Sequence, residues 1–327
     1  MSSIEKKPVR RYLLLFGALF LLVFFLSLSR GAVPVDLFHP DELSRRILLE
    51  VRLPRVLLAA LCGASLSLAG LYFQYVMQNP LADSFTTGAS ASAALGAVLA
   101  LLFFGETWVL PSALFLALLG LVAVLRIASL RGRLLPVTML LAGIVVNTFA
   151  SASISLLKFL AQESVASLVF WLMGGFQNAT YLRCAGLAVA LLGACFYGLY
   201  RAPALDLTAF DDETARASGV PLYRLRRELL FLGALLTAVT VSFSGIIGFV
   251  GLIVPHLLRL AGFLRAEILI PLSLLFGASF LVLADLLSRV LLSQGQELPV
   301  GVLTSALGGL FFLYLLVKRR RELYELV

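Results

Sequence analysis

The chain has 327 residues, 61% of them hydrophobic and only 13% charged, with a mean hydropathy of +1.01. A soluble domain carries about 25% charged residues, so a soluble globular fold is excluded. The formal charge of +8 fits lysines and arginines gathered at the cytosolic face of a membrane protein, and nucleic-acid binding is not expected.

Runs of the length a helix needs to cross hydrocarbon recur from end to end. They predict an all-α polytopic membrane protein with ten spans, at about 12–30, 53–77, 86–104, 108–130, 136–160, 181–201, 228–245, 246–264, 269–292 and 300–317. The runs are continuous rather than alternating, which excludes a β-barrel. The first is too long for the apolar region of a signal peptide and lacks a small-residue cleavage site, so no cleavable signal is expected. Eighteen of the 26 lysines and arginines fall on one side if both termini are cytosolic, so N-in and C-in follows. Residues 1–327 read as one transmembrane domain without a linker. The three cysteines, Cys62, Cys184 and Cys195, lie inside apolar runs as packing residues, with no metal-ligand spacing and no disulfide framework.

In chain order, Arg52-Leu53-Pro54-Arg55 opens the second span as a basic edge, either an interfacial anchor or a dock for an acidic partner. Asn79-Pro80 turns the chain at that span's cytosolic end. On the fifth span Gly143, Asn147, Ser151 and Ser155 recur every four residues and share a face. That face could line a water-accessible path or join helices through small-residue packing. The segment Trp171–Tyr181, with Gln177 and Asn178, faces outside.

Asp211–Glu228 then places eight charges in eighteen residues on the cytosolic side. Asp211 and Asp212 suit a helix N-terminus, Gly219 a stop, and Pro221 the first position of a second helix. The loop is predicted to be two short helices joined by a Gly-Val-Pro turn, with Arg224, Arg226 and Arg227 closing the second. A solvated hairpin needs neither caps nor a preset turn, so a rigid docking knob is favoured. Gly245, Gly248 and Gly251 precede Pro255 and His256. The other histidine, His39, lies on the far side, so His256 is read as structural. Asp285 and Arg289 can pair at i,i+4, which argues against a free proton carrier. The last span repeats the small-residue pattern with Gly301, Thr304, Ser305 and Gly308.

Together these stretches resemble the FecCD family, the permease subunits of ABC importers for iron chelates, haem and cobalamin. The resemblance rests on Arg52-x-Pro54-Arg55, on Gly70-x-x-x-Gln74-x-x-x-x-Asn79-Pro80-Leu81-Ala82, on Gly88 before small residues, and on Leu141-Ala142-Gly143-Ile144. It continues through Gly245-x-Ile247-Gly248-Phe249-Val250-Gly251-Leu252-Ile253-x-Pro255-His256-x-x-Arg259, Ala284-Asp285-x-x-x-Arg289 and Glu297-Leu298-Pro299-Val300-Gly301. It implies a type II ABC importer permease fold that works as a homodimer, with two cytosolic ATPase subunits and an extracytoplasmic substrate-binding protein, in the bacterial cytoplasmic (inner) membrane. The loop at about 205–227 then matches the ATPase-coupling element, with Asp211, Asp212, Ala217, Ser218, Gly219, Val220, Pro221 and Arg224 as its residues. Asn147, Ser151, Ser155, Gly301, Thr304, Ser305 and Gly308 would line the translocation pathway. Arg52, Arg55 and Arg289 would pair with acidic residues of the binding protein. The chain departs from the family at Ser84, where proline is usual and whose absence is expected to loosen the turn, and at Ser218, where leucine usually precedes the glycine.

No phosphate-binding Gly-x-x-x-x-Gly-Lys motif and no Gly-Lys dipeptide occurs, so ATP and Mg are expected on a partner chain, and the subunit itself is not an enzyme. An ion-coupled secondary transporter is the alternative, but the spans hold almost no unpaired carboxylate for coupling. No metal-ligand set or nucleophile–base cluster supports a membrane-embedded enzyme. The sparingly polar path suits a bulky metal chelate: a ferric siderophore first, then haem, then cobalamin, with an oxyanion such as molybdate also open.

Overall fold

Lipid tails are as apolar as leucine, so helices in a membrane associate by close packing and not by escape from water. The centre of this molecule follows that rule. A computed structural model describes residues 9–31, 41–130, 133–161, 165–209, 211–292 and 296–324. Lys6, Lys7, His39 and Arg131 of the sequence reading lie outside them.

The helices are α1 (Val9–Ser29), α2 (Glu42–Arg46), α3 (Leu53–Met77), α4 (Ala89–Phe103), α5 (Val109–Ala128), α6 (Pro136–Leu160), α7 (Val165–Leu172), α8 (Tyr181–Tyr200), α9 (Ala202–Thr208), α10 (Asp212–Ala217), α11 (Leu222–Ser244), α12 (Val250–Leu260), α13 (Ala266–Val290) and α14 (Val300–Tyr324). A short antiparallel pair, β1 (Ser129–Leu130) with β2 (Arg133–Leu134), closes the α5–α6 turn, Ser129 facing Leu134. Among the described residues seven helical runs are long and apolar enough to cross a membrane, and α4, α12 and the first part of α14 are shorter apolar helices. These ten correspond one to one with the predicted spans.

Helix α3 is the hub, buried along nearly its whole length. Gly63 lies against the backbone of Gly277 in α13, and Gly70 against that of Gly251 in α12; a Cβ at either would overlap the facing carbonyl. A π-helical turn, Ile47–Arg52, joins α2 to α3. It ends one residue short of Pro54, which has no N–H to return to the preceding turn and so sits in the first turn of α3.

Two boundaries differ from the sequence reading. Helix α11 starts at Leu222, so Arg224, Arg226, Arg227 and Glu228 occupy its first two turns and do not form a separate short helix. Hydropathy ends a span where charge begins, but a helix can continue into water. Helix α12 has only 11 residues, about 16 Å, or roughly half the hydrocarbon thickness. The chain between α11 and α12 is non-helical, with Gly245 at φ 68° and Phe249 at φ 66°. Irregular backbone at membrane depth survives only where protein covers it. Here Gly245, Ile247 and Gly248 are buried, and the Ser244 carbonyl accepts the Gly175 amide at 2.8 Å.

The termini of α1 fix the two sides. Tyr12 stacks edge-on against Phe263, 4.9 Å between ring centroids, beside the cytosolic end of α12. The other end of α1 meets Arg289 through the Ser27 carbonyl at 3.2 Å.

Candidate functional site

On the cytosolic side the segment after α9 is built as a rigid projection. Asp211 caps α10: its Oδ1 accepts the Thr214 amide at 2.6 Å and its Oδ2 the Thr214 hydroxyl at 2.7 Å. These bonds, the hydroxyl's first, hold the Asp211 carboxyl below the usual carboxylate range. The far end of α10 closes with a Schellman motif. The Val220 amide donates to the Ala215 carbonyl at 3.0 Å, and that of Gly219 to Arg216 at 2.9 Å. Gly219 has φ 80°, as the motif requires, and no atom lies within 4 Å of where its Cβ would be. Pro221 follows at the cap position of α11, one residue ahead of its predicted place.

The projection is tied down at its base. Arg226, only 3% exposed, makes a two-pronged bond to Asp212 at 2.6 and 3.0 Å. Gln78, just past α3, donates to the same carboxylate at 2.9 Å. Arg224 pairs with Glu228 at 2.8 Å, and Glu228 also accepts the Tyr197 hydroxyl. Asp206 accepts the first amide of α13 at 2.6 Å, and burial raises its carboxyl above the usual range. At the tip Ala217, Ser218, Gly219 and Pro221 are exposed and Val220 is half-buried, with the exposed Glu213 and Arg216 flanking it on α10. This small, neutral surface suits insertion into a protein groove.

The adjoining Asn79–Gly88 turn is held, not loosened. The Ser84 hydroxyl accepts that of Ser90 at 2.8 Å, and its carbonyl accepts the Ser90 amide at 3.0 Å, replacing the restraint a proline would give. Asn79 Oδ1 accepts the Leu81 amide at 2.9 Å.

The two small-residue faces at mid-membrane separate. On α6, Gly143 packs against the Thr86 backbone, while Asn147 is half-exposed and Ser151 and Ser155 are exposed. On α14 three of the four residues expected to line the pathway are packed against protein within the subunit. Gly301 abuts the carbonyls of Met173 and Ile246, and a Cβ at Gly308 would overlap the Phe249 ring. Thr304 is fully buried, its hydroxyl donating to the Gly301 carbonyl at 3.2 Å. Their small size accommodates the non-helical segment before α12. Ser305 alone of the four is exposed. His256 packs edge-on to Phe311, 6.1 Å between centroids, in line with a structural role. No group of three or more metal-ligating side chains occurs among the described residues.

On the outer side the expected basic edge is folded inward. Asp285, with no exposure, takes Arg55 at 2.9 Å and Arg289 at 3.0 Å. Arg55 also pairs with Glu297 at 2.9 Å. Arg52 is buried against the end of α1, donating to the carbonyls of Leu28 and Ser29 at 2.8 and 3.0 Å. Arg52, Arg55 and Arg289 therefore have little surface to offer a partner in this conformation. Beside Glu297 opens a cavity of about 560 Å³ lined by Glu106, Trp171, Gln177, Asn178 and Arg183. Arg183 donates to the Asn178 carbonyl at 2.8 Å and lies 6.0 Å from the Phe243 ring centroid. The sequence reading placed Gln177 and Asn178 on the outer side. It did not find Glu297, Gln78 or Asp206 as partners, because each bonds to a residue far away in the chain.

A bundle of ten apolar helices with a braced cytosolic projection defines a polytopic membrane protein of the permease class. Comparison gives the family. The FecCD transport family profile matches residues 14–318, and the chain belongs to that family. It is 35% identical to the vitamin B12 import system permease protein BtuC of Escherichia coli O9:H4, over 95% of this chain and 96% of that one. It is 37% identical to the cobalamin import system permease protein BtuC of Halobacterium salinarum, over 90% and 79% respectively. A solved metal-chelate type ABC transporter in an inward-facing conformation superposes with a TM-score of 0.85 at 31% identity, covering 94% of this chain and 99% of that one. The chain is thus an ABC transporter permease subunit and not itself an ATPase.

Removing one member of a buried ion network leaves another charge unpaired, at a cost of about 3–5 kcal/mol. Asp285→Ala strands the buried Arg289, leaves Arg55 only the part-exposed Glu297, and should lower the melting temperature of the detergent-purified chain sharply. Glu297→Gln, at a part-exposed position, should lower it far less. Equal shifts in a thermal melt would contradict the central place of Asp285.

Proposed function

We propose that this chain is the membrane subunit of an importer for a bulky metal chelate. It works as a homodimer with two cytosolic ATPase subunits, which bind ATP and Mg, and an extracytoplasmic substrate-binding protein. The observation that carries the reading is the cytosolic projection. It is capped at both ends, braced through Asp212 and Arg226, and neutral at its exposed tip. Asp211, Asp212, Ala217 to Pro221 and Arg224 form or support that coupling surface. Such a device transmits force from a soluble partner and has no purpose in a carrier that works alone. The ion-coupled alternative also loses its one candidate carboxylate, since Asp285 is held by two arginines.

Of the pathway residues inferred from sequence, Asn147, Ser151, Ser155 and Ser305 are the ones available to line a path between two copies. Gly301, Thr304 and Gly308 support it from behind. Binding-protein docking through Arg52, Arg55 and Arg289 would have to displace Glu297 from Arg55, so that pair is where docking would act. The relatives named for vitamin B12 and cobalamin import support a cobalamin-like corrinoid as first cargo. A ferric siderophore and haem come next, because no residue of the path is particular to either. The cytoplasmic membrane of a prokaryote is the expected location.

The direct test is purification of the tagged chain from its native membrane in mild detergent, with mass spectrometry of what accompanies it. A stoichiometric ATPase bearing a phosphate loop is expected; recovery of the chain alone under several gentle conditions would refute the partnership. Two variants test the assigned roles. Gly219→Val meets no steric obstacle but forces a branched side chain into a left-handed conformation, at about 1–2 kcal/mol. It should leave the subunit folded and uncouple ATP hydrolysis from uptake, so normal uptake in proteoliposomes would sink the coupling role. In the assembled transporter, Ser151→Cys should react with a small hydrophilic thiol reagent and Thr304→Cys should not; the reverse order would overturn the division between lining and packing.

A further inference from the structure

We propose that a membrane-facing groove at the cytosolic ends of α5, α8 and α11 binds one anionic phospholipid. Its acyl chain would lie between α5 and α11, and its headgroup would lie on Arg227. The groove has a volume of about 580 Å³, and its walls are apolar, with Leu118, Leu121, Val122 and Leu125 on one side and Phe231 and Leu232 on the other. Val122 is 50% and Phe231 45% exposed, on helices whose outward faces carry further bare side chains such as Leu119 and Phe196. From Leu125 to Leu118 the groove runs about 10 Å into the hydrocarbon, a depth that a hydrated protein partner does not enter.

Charge at the mouth selects the headgroup. The run Arg224-Leu225-Arg226-Arg227 opens α11. Arg224 is neutralised by Glu228 and Arg226 by Asp212. Arg227 has no carboxylate partner among the described residues; its guanidinium lies 6.0 Å from the ring centroid of Tyr223 at the groove's polar end. The one acidic residue lining the groove, Glu228, is already held by Arg224 and by the Tyr197 hydroxyl, so it does not cancel that charge. Arg126, four residues on from Val122 on α5, adds a second cation on the flank. A basic side chain at the cytosolic leaflet attracts anionic lipid, and this one stands over a slot shaped for a chain.

Native mass spectrometry of the full chain in mild detergent, given equal amounts of phosphatidylglycerol and phosphatidylcholine with the same acyl chains, tests the proposal. One phosphatidylglycerol per chain should be retained about fivefold over phosphatidylcholine, the factor that one basic residue contributes at such a surface. Arg227→Gln should lower the ratio about fivefold. Val122→Trp, which fills the slot from an exposed position, should abolish retention of both lipids. Arg265→Gln, in an exposed pair away from the groove, should change nothing, and excess glycerol 3-phosphate should not displace the lipid. The proposal is overturned by equal retention of the two lipids in the unaltered chain, by retention that survives both groove variants, by displacement with glycerol 3-phosphate, or by a lipid-free dimer.

Discussion

Where Gly70 of α3 faces Gly251 of α12, two backbones touch with no side chain between them, and the same holds where Gly63 faces Gly277 of α13. Dispersion falls off steeply with distance, and lipid supplies no competing hydrophobic force, so contact at backbone range is the strongest packing available to helices in a membrane. With α3 gripped on two sides, the short α12 is held deep in the protein. The non-helical residues 245–249 are thereby covered by α14 and the segment around Gly174. Without that cover their amides and carbonyls would face hydrocarbon, which a membrane fold does not tolerate. The glycines of α14 follow from this requirement, since Gly301 and Gly308 make room for Ile246 and Phe249.

The outer charge network answers a different problem. Asp285 brings a charge into a fully buried position, which is costly unless it is paired. Two arginines pair it, and Glu297 pairs one of them, Arg55, a second time. Because Arg55 lies on α3, Arg289 on α13 and Glu297 just ahead of α14, the network sets the relative height of three elements at their outer ends. Arg289 extends the tie to the end of α1 through the Ser27 carbonyl. Buried ion networks add little net stability, but they penalise any register that breaks them.

What the sequence disclosed was whatever physics makes local. Hydrocarbon thickness imposes a run length, so all ten spans were visible. A cap and a Schellman glycine need only neighbours, so Asp211 and Gly219 were placed correctly. The i,i+4 pair of Asp285 and Arg289 was visible for the same reason. The partners of Arg55 lie 230 and 242 residues away, and nothing local announces them. Four-residue spacing of small side chains reports a shared face but not what the face meets, so α6 and α14 looked alike while one face is open and the other packed. The short α7 has only eight residues, too few to cross a membrane, so a reading based on span length passes over it.

The cytosolic projection gains its meaning from how its base is shared. The carboxylate of Asp212 is held by Gln78 at the end of α3 and by Arg226 on α11, while Asp206 caps α13. A load on the tip is therefore divided among three helices and cannot be absorbed by bending one loop. Toward the outside the connection changes character. Helix α11 ends at Ser244; past the Gly245 amide, which still donates to the Val241 carbonyl, the helix is interrupted as far as Phe249, with positive φ at Gly245 and Phe249. A displacement of α11 reaches the break before it reaches α12, which is locked to α3 by Gly251. Stiff coupling at the cytosolic end and a covered, irregular hinge farther in are together what a permease needs if work done by a soluble partner is to reopen packing inside the membrane without exposing backbone to lipid.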